Sequence, residues 1–275
     1  MSHTVLSKGA ARVPAGHYGI GGAVRMEWAK LRSLRSTWWI LAVALASMIG
    51  LAILVLRWYP AHWTHMSRAD RASFDPTNAG FTGVAVAQLA MAVLGILAMT
   101  SEYSAGMIRA TLAAVPDRGL VLAAKAAVVG AVALAAGETG AFAAFLAGQR
   151  MLASPAPHAA LGQSGVLQAV ILAGAYLGLI ALIGLGLGAI IRRTAGAIAL
   201  IAGLIFVLPP VLLALPASAQ HSAGRFLPQI IAENSLTAVR RVPYSLSPWA
   251  GLGMMCLYAA IALCAGGWLL ARRDA

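Results

Sequence analysis

The sequence has 275 residues, 60% hydrophobic and only 10% charged, with 20 Lys and Arg against 8 Asp and Glu for a net charge of +12. A soluble domain carries about 25% charged residues, so this composition excludes a soluble globular fold and predicts an all-α polytopic membrane protein. The positive charge is not first a nucleic-acid signal, because no soluble basic domain is present to carry it and Lys and Arg gather in the cytoplasmic loops of membrane proteins.

In chain order, residues 1–21 read as a flexible cytoplasmic N-terminus, and residues 22–275 as a single transmembrane domain. The first twenty residues lack the apolar core of a cleavable signal peptide. Residues 22–39, GAVRMEWAKLRSLRSTWW, predict an amphipathic interfacial helix. Val24, Trp28, Leu31, Leu34 and Trp38 recur at three- and four-residue spacing. Arg25, Lys30, Arg32, Ser33 and Ser36 lie mostly on the other side, and Glu27 stands three before Lys30 as a helical pair. Arg35 falls on the apolar side, where it can snorkel to lipid phosphates. Such a helix either anchors the chain or acts as a lever between a partner and the membrane domain.

Six runs have the length and apolarity of spanning helices: 38–56, 81–100, 120–147, 166–191, 195–215 and 249–271. In the loop after the first, Trp58, Tyr59 and Trp63 fit an aromatic belt. His62 and His65, with Asp70 and Asp75 downstream, have a spacing that could hold zinc, but no cysteine supports them and no metal is expected. Between the second and third runs lies SEYSAGMIRATLAAVPDR, residues 101–118. As a helix over 102–115 it would align Ile108, Leu112 and Val115 on one stripe and Glu102 and Arg109 on another, with Pro116 as the stop.

The third run contains Lys125 and Glu138, thirteen residues apart. That is about 20 Å along a helix, too far for a pair. Lys125 is expected to snorkel at the cytoplasmic end, whereas Glu138 is a functional candidate because an intramembrane carboxylate is expensive. The fourth run carries Gly174, Gly178, Gly184 and Gly188, small residues that suit either intramolecular packing or a dimer seam. Only Arg192, Arg193 and Thr194 separate it from the fifth, so the two form a tight hairpin. Pro209 and Pro210 should kink or stop the fifth, and residues 225–239 can form a short helix that dips back toward the membrane. Cys256 and Cys264 lie about 12 Å apart along the sixth, too far for a disulfide, and read as buried free thiols.

A cytoplasmic N-terminus places Lys8, Arg12, Arg25, Lys30, Arg32, Arg35, Arg109, Arg118, Lys125, Arg192, Arg193, Arg272 and Arg273 inside, and Arg57, Arg68, Arg71, Arg150, Arg225, Arg240 and Arg241 outside. The balance favours this orientation, with the C-terminus also cytoplasmic after six spans.

The loop pattern resembles the ABC-2 type permeases, membrane subunits of certain ATP-binding-cassette (ABC) transporters. The resemblance rests on Glu102-Tyr103, then Gly106-Met107-Ile108-Arg109-Ala110-Thr111-Leu112, then Pro116-Asp117-Arg118. It extends to the N-terminal segment from Glu27 to Trp38 and to the end of the chain, where Ser247-Pro248-Trp249-Ala250-Gly251 and Arg272-Arg273-Asp274-Ala275 are similar to actinobacterial members. Met107 stands where threonine is commoner. The resemblance implies an ABC-2 type permease fold in a bacterial plasma membrane. It implies a coupling helix at 102–115, with Glu102, Tyr103, Gly106, Ile108, Arg109, Thr111, Leu112, Pro116 and Arg118 as its motif positions. A connecting helix at 22–37, with Glu27, Trp28, Lys30, Leu31 and Arg35, would pack beside it. The implied partners are two copies of a cytoplasmic ATPase and a second permease subunit, as homodimer or heterodimer, and the implied activity is export of a hydrophobic or amphipathic substrate.

None of the three lysines follows a glycine, so the sequence has no P-loop. ATP and Mg are therefore expected on the partner ATPase, and no enzymatic site or cofactor on this chain. Two other readings stand beside this one. The first is a proton- or ion-coupled carrier using Glu138; the second is a non-transporting membrane anchor or immunity-type protein.

Overall fold

The computed structural model describes residues 19–214, 216–238 and 245–272. The expectations for residues 1–18, for Arg240 and Arg241 and for residues 273–275 lie outside them. The described residues are mostly helical, and none of them forms a strand. The chain runs α1 (Ile20–Ser33), α2 (Arg35–His62), α3 (Arg68–Ser73), α4 (Pro76–Gly80), α5 (Val84–Ser104), α6 (Ile108–Ala114) and α7 (Arg118–Gln149). It continues through α8 (Val166–Ile191), α9 (Thr194–Ala202), α10 (Leu208–Leu213), α11 (Ala217–Ala223), α12 (Pro228–Ser235) and α13 (Pro248–Arg272). Six segments are long and apolar enough to cross a membrane: Arg35–His65, Val84–Ser104, Arg118–Gln149, Val166–Ile191, Thr194–Leu212 and Pro248–Arg272. This is the architecture of a multi-pass membrane protein.

α8 is the central helix, packed against α5, α7 and α13. Its most apolar stretch is 72% buried, against 28% for the first and sixth spans and 22% for the fifth. Those outer spans present apolar side chains such as Leu54, Val207 and Trp268 to their surroundings, as lipid-facing helices do. In lipid, close packing rather than hydrophobic burial holds helices together. The glycines of α8 serve that packing inside the molecule. A Cβ at Gly184 would collide with the Ala92 carbonyl oxygen, and one at Gly95 of α5 with the Ala181 carbonyl oxygen. Gly174 abuts Glu138, Gly178 abuts Leu134, and Gly188 abuts Ile96 and Met99. The glycine row is thus an intramolecular contact with α5 and α7, not a dimer seam.

Several boundaries differ from expectation for identifiable reasons. α1 begins at Ile20, two residues inside the segment expected to be flexible. It ends at Ser33, where Leu34 turns extended (φ −83°, ψ 119°), so Arg35 opens α2 instead of lying on α1. The fifth span is interrupted by a π-helical turn at Gly203–Val207, where the Leu208 N–H reaches the Gly203 carbonyl. This widened turn lies directly before Pro209 and Pro210, whose rings and missing N–H groups disrupt regular helix geometry. The short helix expected within 225–239 is α12, which buries Pro228, Ile231 and Ala232 and packs on α8 and α13. Cys256 and Cys264 are free but exposed rather than buried, because α13 turns that side away from the bundle.

The bundle has two ends. One gathers α1, α6, the last turn of α5, the first turn of α7, the α8–α9 turn and the end of α13. The other gathers α3, α4, α11, α12 and the first turns of α5, α8 and α13.

Candidate functional site

The α1 end holds four charged side chains in a closed ring. Lys125 Nζ lies 2.5 Å from Glu27 Oε2 and 2.7 Å from Glu102 Oε1. Lys30 Nζ lies 2.8 Å from Glu27 Oε1 and 2.9 Å from Glu102 Oε1. Each acid thus meets both lysines and the ring is neutral. Glu27, Glu102 and Lys125 are buried, with side chains 3–4% exposed, and Lys30 forms the outer edge at 32%. Lone charges at this depth would be costly, and mutual pairing is the condition under which they persist.

Four helices contribute. Glu27 and Lys30 come from α1, where i and i+3 share a face, and Lys125 comes from the second turn of α7. Glu102 comes from the last turn of α5. α6 joins through Thr111, whose hydroxyl accepts from Lys30 Nζ at 3.1 Å and donates to Glu102 Oε2 at 3.2 Å. Burial lowers the Lys30 pKa, but hydrogen bonds and charge from Glu27 and Glu102 outweigh it, and the net displacement is upward. A cavity of about 500 Å³ opens beside the ring, lined on its apolar side by Leu31, Leu34, Val128 and Val129.

The helix expected over 102–115 is two pieces. Glu102 and Tyr103 belong to the end of α5, and Gly106, at φ +67°, takes the left-handed conformation that breaks the run. α6 then covers only Ile108–Ala114. Glu102 and Arg109 therefore do not share a face: Glu102 is buried in the ring and Arg109 is exposed. α6 turns Ile108 and Thr111 inward, with Leu112 half-buried, and exposes Arg109, Ala110, Ala113 and Ala114. Pro116 is exposed beyond the helix end. Arg118, the first residue of α7, donates to the Leu270 carbonyl at 2.6 Å and so ties α7 to the last turn of α13. The Arg192 guanidinium lies 5.0 Å from the centre of the Tyr103 ring, which fixes the α8–α9 turn to the end of α5.

Two expectations for charged residues are corrected. Lys125 does not snorkel: it is 2% exposed and fully drawn into the ring, because two acids on neighbouring helices offer a nearer partner than lipid phosphate. Lys30 pairs with Glu27 as their spacing predicts, but the side of α1 that carries them faces the bundle. That helix turns Ala23, Glu27 and Leu31 inward and leaves Trp28, Leu34 and Trp38 of the expected stripe at 46%, 41% and 60% exposure. The apolar stripe is split because the polar ring, not the bilayer, sets the rotation of α1. The one sequence signal for the ring was that an acid and a lysine on α1 were matched by an acid and a lysine on flanking helices.

Glu138 lies apart, half-buried on α7 against Gly174, and forms no ion pair among the described residues. His62 stacks on Trp58 at 4.1 Å, and no group of His, Cys, Asp or Glu among the described residues could hold a metal. No family model matches the chain, and no curated protein matches it.

Proposed function

We propose that the chain is the membrane-spanning permease subunit of an ABC-2 type exporter, driven by two copies of a separate cytoplasmic ATPase. The carrying observation is the ring, which joins the partly exposed helix α6 to α1, α5 and α7 through one set of charge-assisted bonds. A soluble ATPase that grips the exposed side of α6, around Arg109, Ala110 and Ala113, acts through Thr111 on the ends of two spanning helices. The α1 end is then the cytoplasmic end of a plasma-membrane protein. A rigid link of this kind suits a machine in which one element's displacement must become helix tilt. The exported substrate is hydrophobic or amphipathic, and a second permease subunit completes the pathway.

This reading is tested by Thr111→Val, which removes the hydroxyl between α6 and the ring while keeping the side chain's shape. The ATPase should still bind and hydrolyse ATP in reconstituted vesicles, while export per ATP falls at least several-fold. Export at the wild-type ratio would contradict coupling through Thr111. A carrier built on Glu138 has less support, since among the described residues that carboxylate forms no ion pair.

A further inference from the structure

At the opposite end of the bundle, Asn234 poses a separate problem. It is 4% exposed, and among the described residues neither its Oδ1 nor its Nδ2 has a hydrogen-bond partner. Buried amides are almost always satisfied, so a fully orphaned one points to an occupant. Asn234 lines a cavity of about 100 Å³ together with Gly165, Gln168, Ser235, Thr237 and Pro248.

Two long helices begin at this cavity. α8 starts after Gly165, which is left-handed at φ 82° and supplies no side-chain cap. α13 starts at Pro248 and packs beside α8. Their N-terminal ends bring two positive partial charges to one small space. The amides of Asn234 and Gln168 and the hydroxyl of Ser235 add donors, and no described residue of the wall is acidic. The nearest acid shown at this wall is Asp75, whose Oδ2 accepts from the Thr237 hydroxyl and from the Ala238 N–H at 3.1 Å. Asp75 is thereby engaged, and those two donors are withdrawn from the cavity. Glu233, next in sequence to Asn234, is exposed and lines a different cavity.

We propose that this cavity binds a small inorganic anion of chloride size, held by the Asn234 and Gln168 amides at the start of α8, with the N-terminal end of α13 alongside. The volume equals that of roughly three waters at about 30 Å³ each, enough for chloride with a water and too small for a sugar or a nucleotide. The bound anion pins α12 to the start of α8 and α13.

The test is the unfolding temperature of the full chain in detergent, at constant ionic strength, as gluconate is replaced by chloride. Gluconate is too large to enter. The expected result is a saturable rise of about 3 °C or more in chloride. Asn234→Leu should abolish the chloride-dependent part while unfolding no lower than wild type in gluconate, because it removes an amide that then has no partner. Gln168→Leu should weaken the response and serves if Asn234→Leu does not fold. Equal unfolding temperatures of the wild type in the two salts, as a cavity holding only water would give, would overturn the proposal. So would an undiminished chloride response in Asn234→Leu.

Discussion

Lys125 sets the energetics of the ring at the scale of single residues. Its ammonium is buried between Glu27 and Glu102, so removing it leaves two acids with one lysine. Breaking a buried pair from one side costs about 3–5 kcal/mol. Lys125→Met should therefore lower the unfolding temperature sharply. Adding Glu102→Gln restores charge balance around the remaining Glu27–Lys30 pair and should recover part of the loss, which a double-mutant cycle measures. A loss equal to the sum of the two single losses would contradict a shared ring. Lys30 supplies a pH signature. Its folded-state pKa is raised, so its contribution is fully present below the ordinary lysine value of 10.5 and is lost as pH rises through the folded value. The stability gap between wild type and Lys30→Met should be flat from neutral pH to about 10 and shrink above it. Charged residues on a helix were legible in the sequence. So was the Glu27–Lys30 pair, three residues apart on one helix; the partners across helices were not, because Glu27, Glu102 and Lys125 lie far apart in sequence and meet only after the helices pack. Lys125 read as a snorkelling residue because a single helix offers it no acid.

Among elements, the contact between α5 and α8 depends on glycine. Gly95 faces the Ala181 carbonyl and Gly184 faces the Ala92 carbonyl, backbone against backbone. Gly95→Ala and Gly184→Ala should each destabilise by roughly 1–3 kcal/mol or more through overpacking. Gly50 and Gly253, helical and with nothing near an added Cβ, are the controls. Alanine there should be neutral or stabilising by about 0.5–1 kcal/mol. If all four substitutions behave alike in thermal unfolding, close approach is not what these glycines provide. The six spans were legible from length and apolarity alone, and the glycine spacing of α8 was visible too. Which neighbour those glycines served was not, since small residues suit any close partner. The break at Gly106 was hidden for another reason. The run from Glu102 to Val115 is helix-compatible at nearly every position, and only the left-handed φ of one glycine divides it. The outcome matters for function, because it moves Glu102 from the loop helix to a spanning helix.

For the whole molecule, the two ends have different characters. The α1 end concentrates paired charge and cross-ties, with Arg118 on α13 and Arg192 over Tyr103 as well as the ring. The opposite end carries short helices clasped by Asp75, which caps α4 through the Thr77 and Asn78 N–H groups and holds Thr237 and Ala238 after α12. A stiff end with an exposed short helix is the end that a force-delivering partner would use. On the proposed function, the exposed side of α6 receives a P-loop ATPase. The most direct measurement is capture of the full chain from its host membranes in mild detergent, followed by mass spectrometry, for wild type and for Arg109→Glu combined with Ala113→Glu. Both positions are exposed, so the variant should fold and span the membrane normally. A stoichiometric ATPase is expected with the wild type, and its loss is expected from the variant. An ATPase that stays bound to the folded variant, or none with the wild type under conditions that keep other ATPase–permease complexes whole, would contradict this proposal.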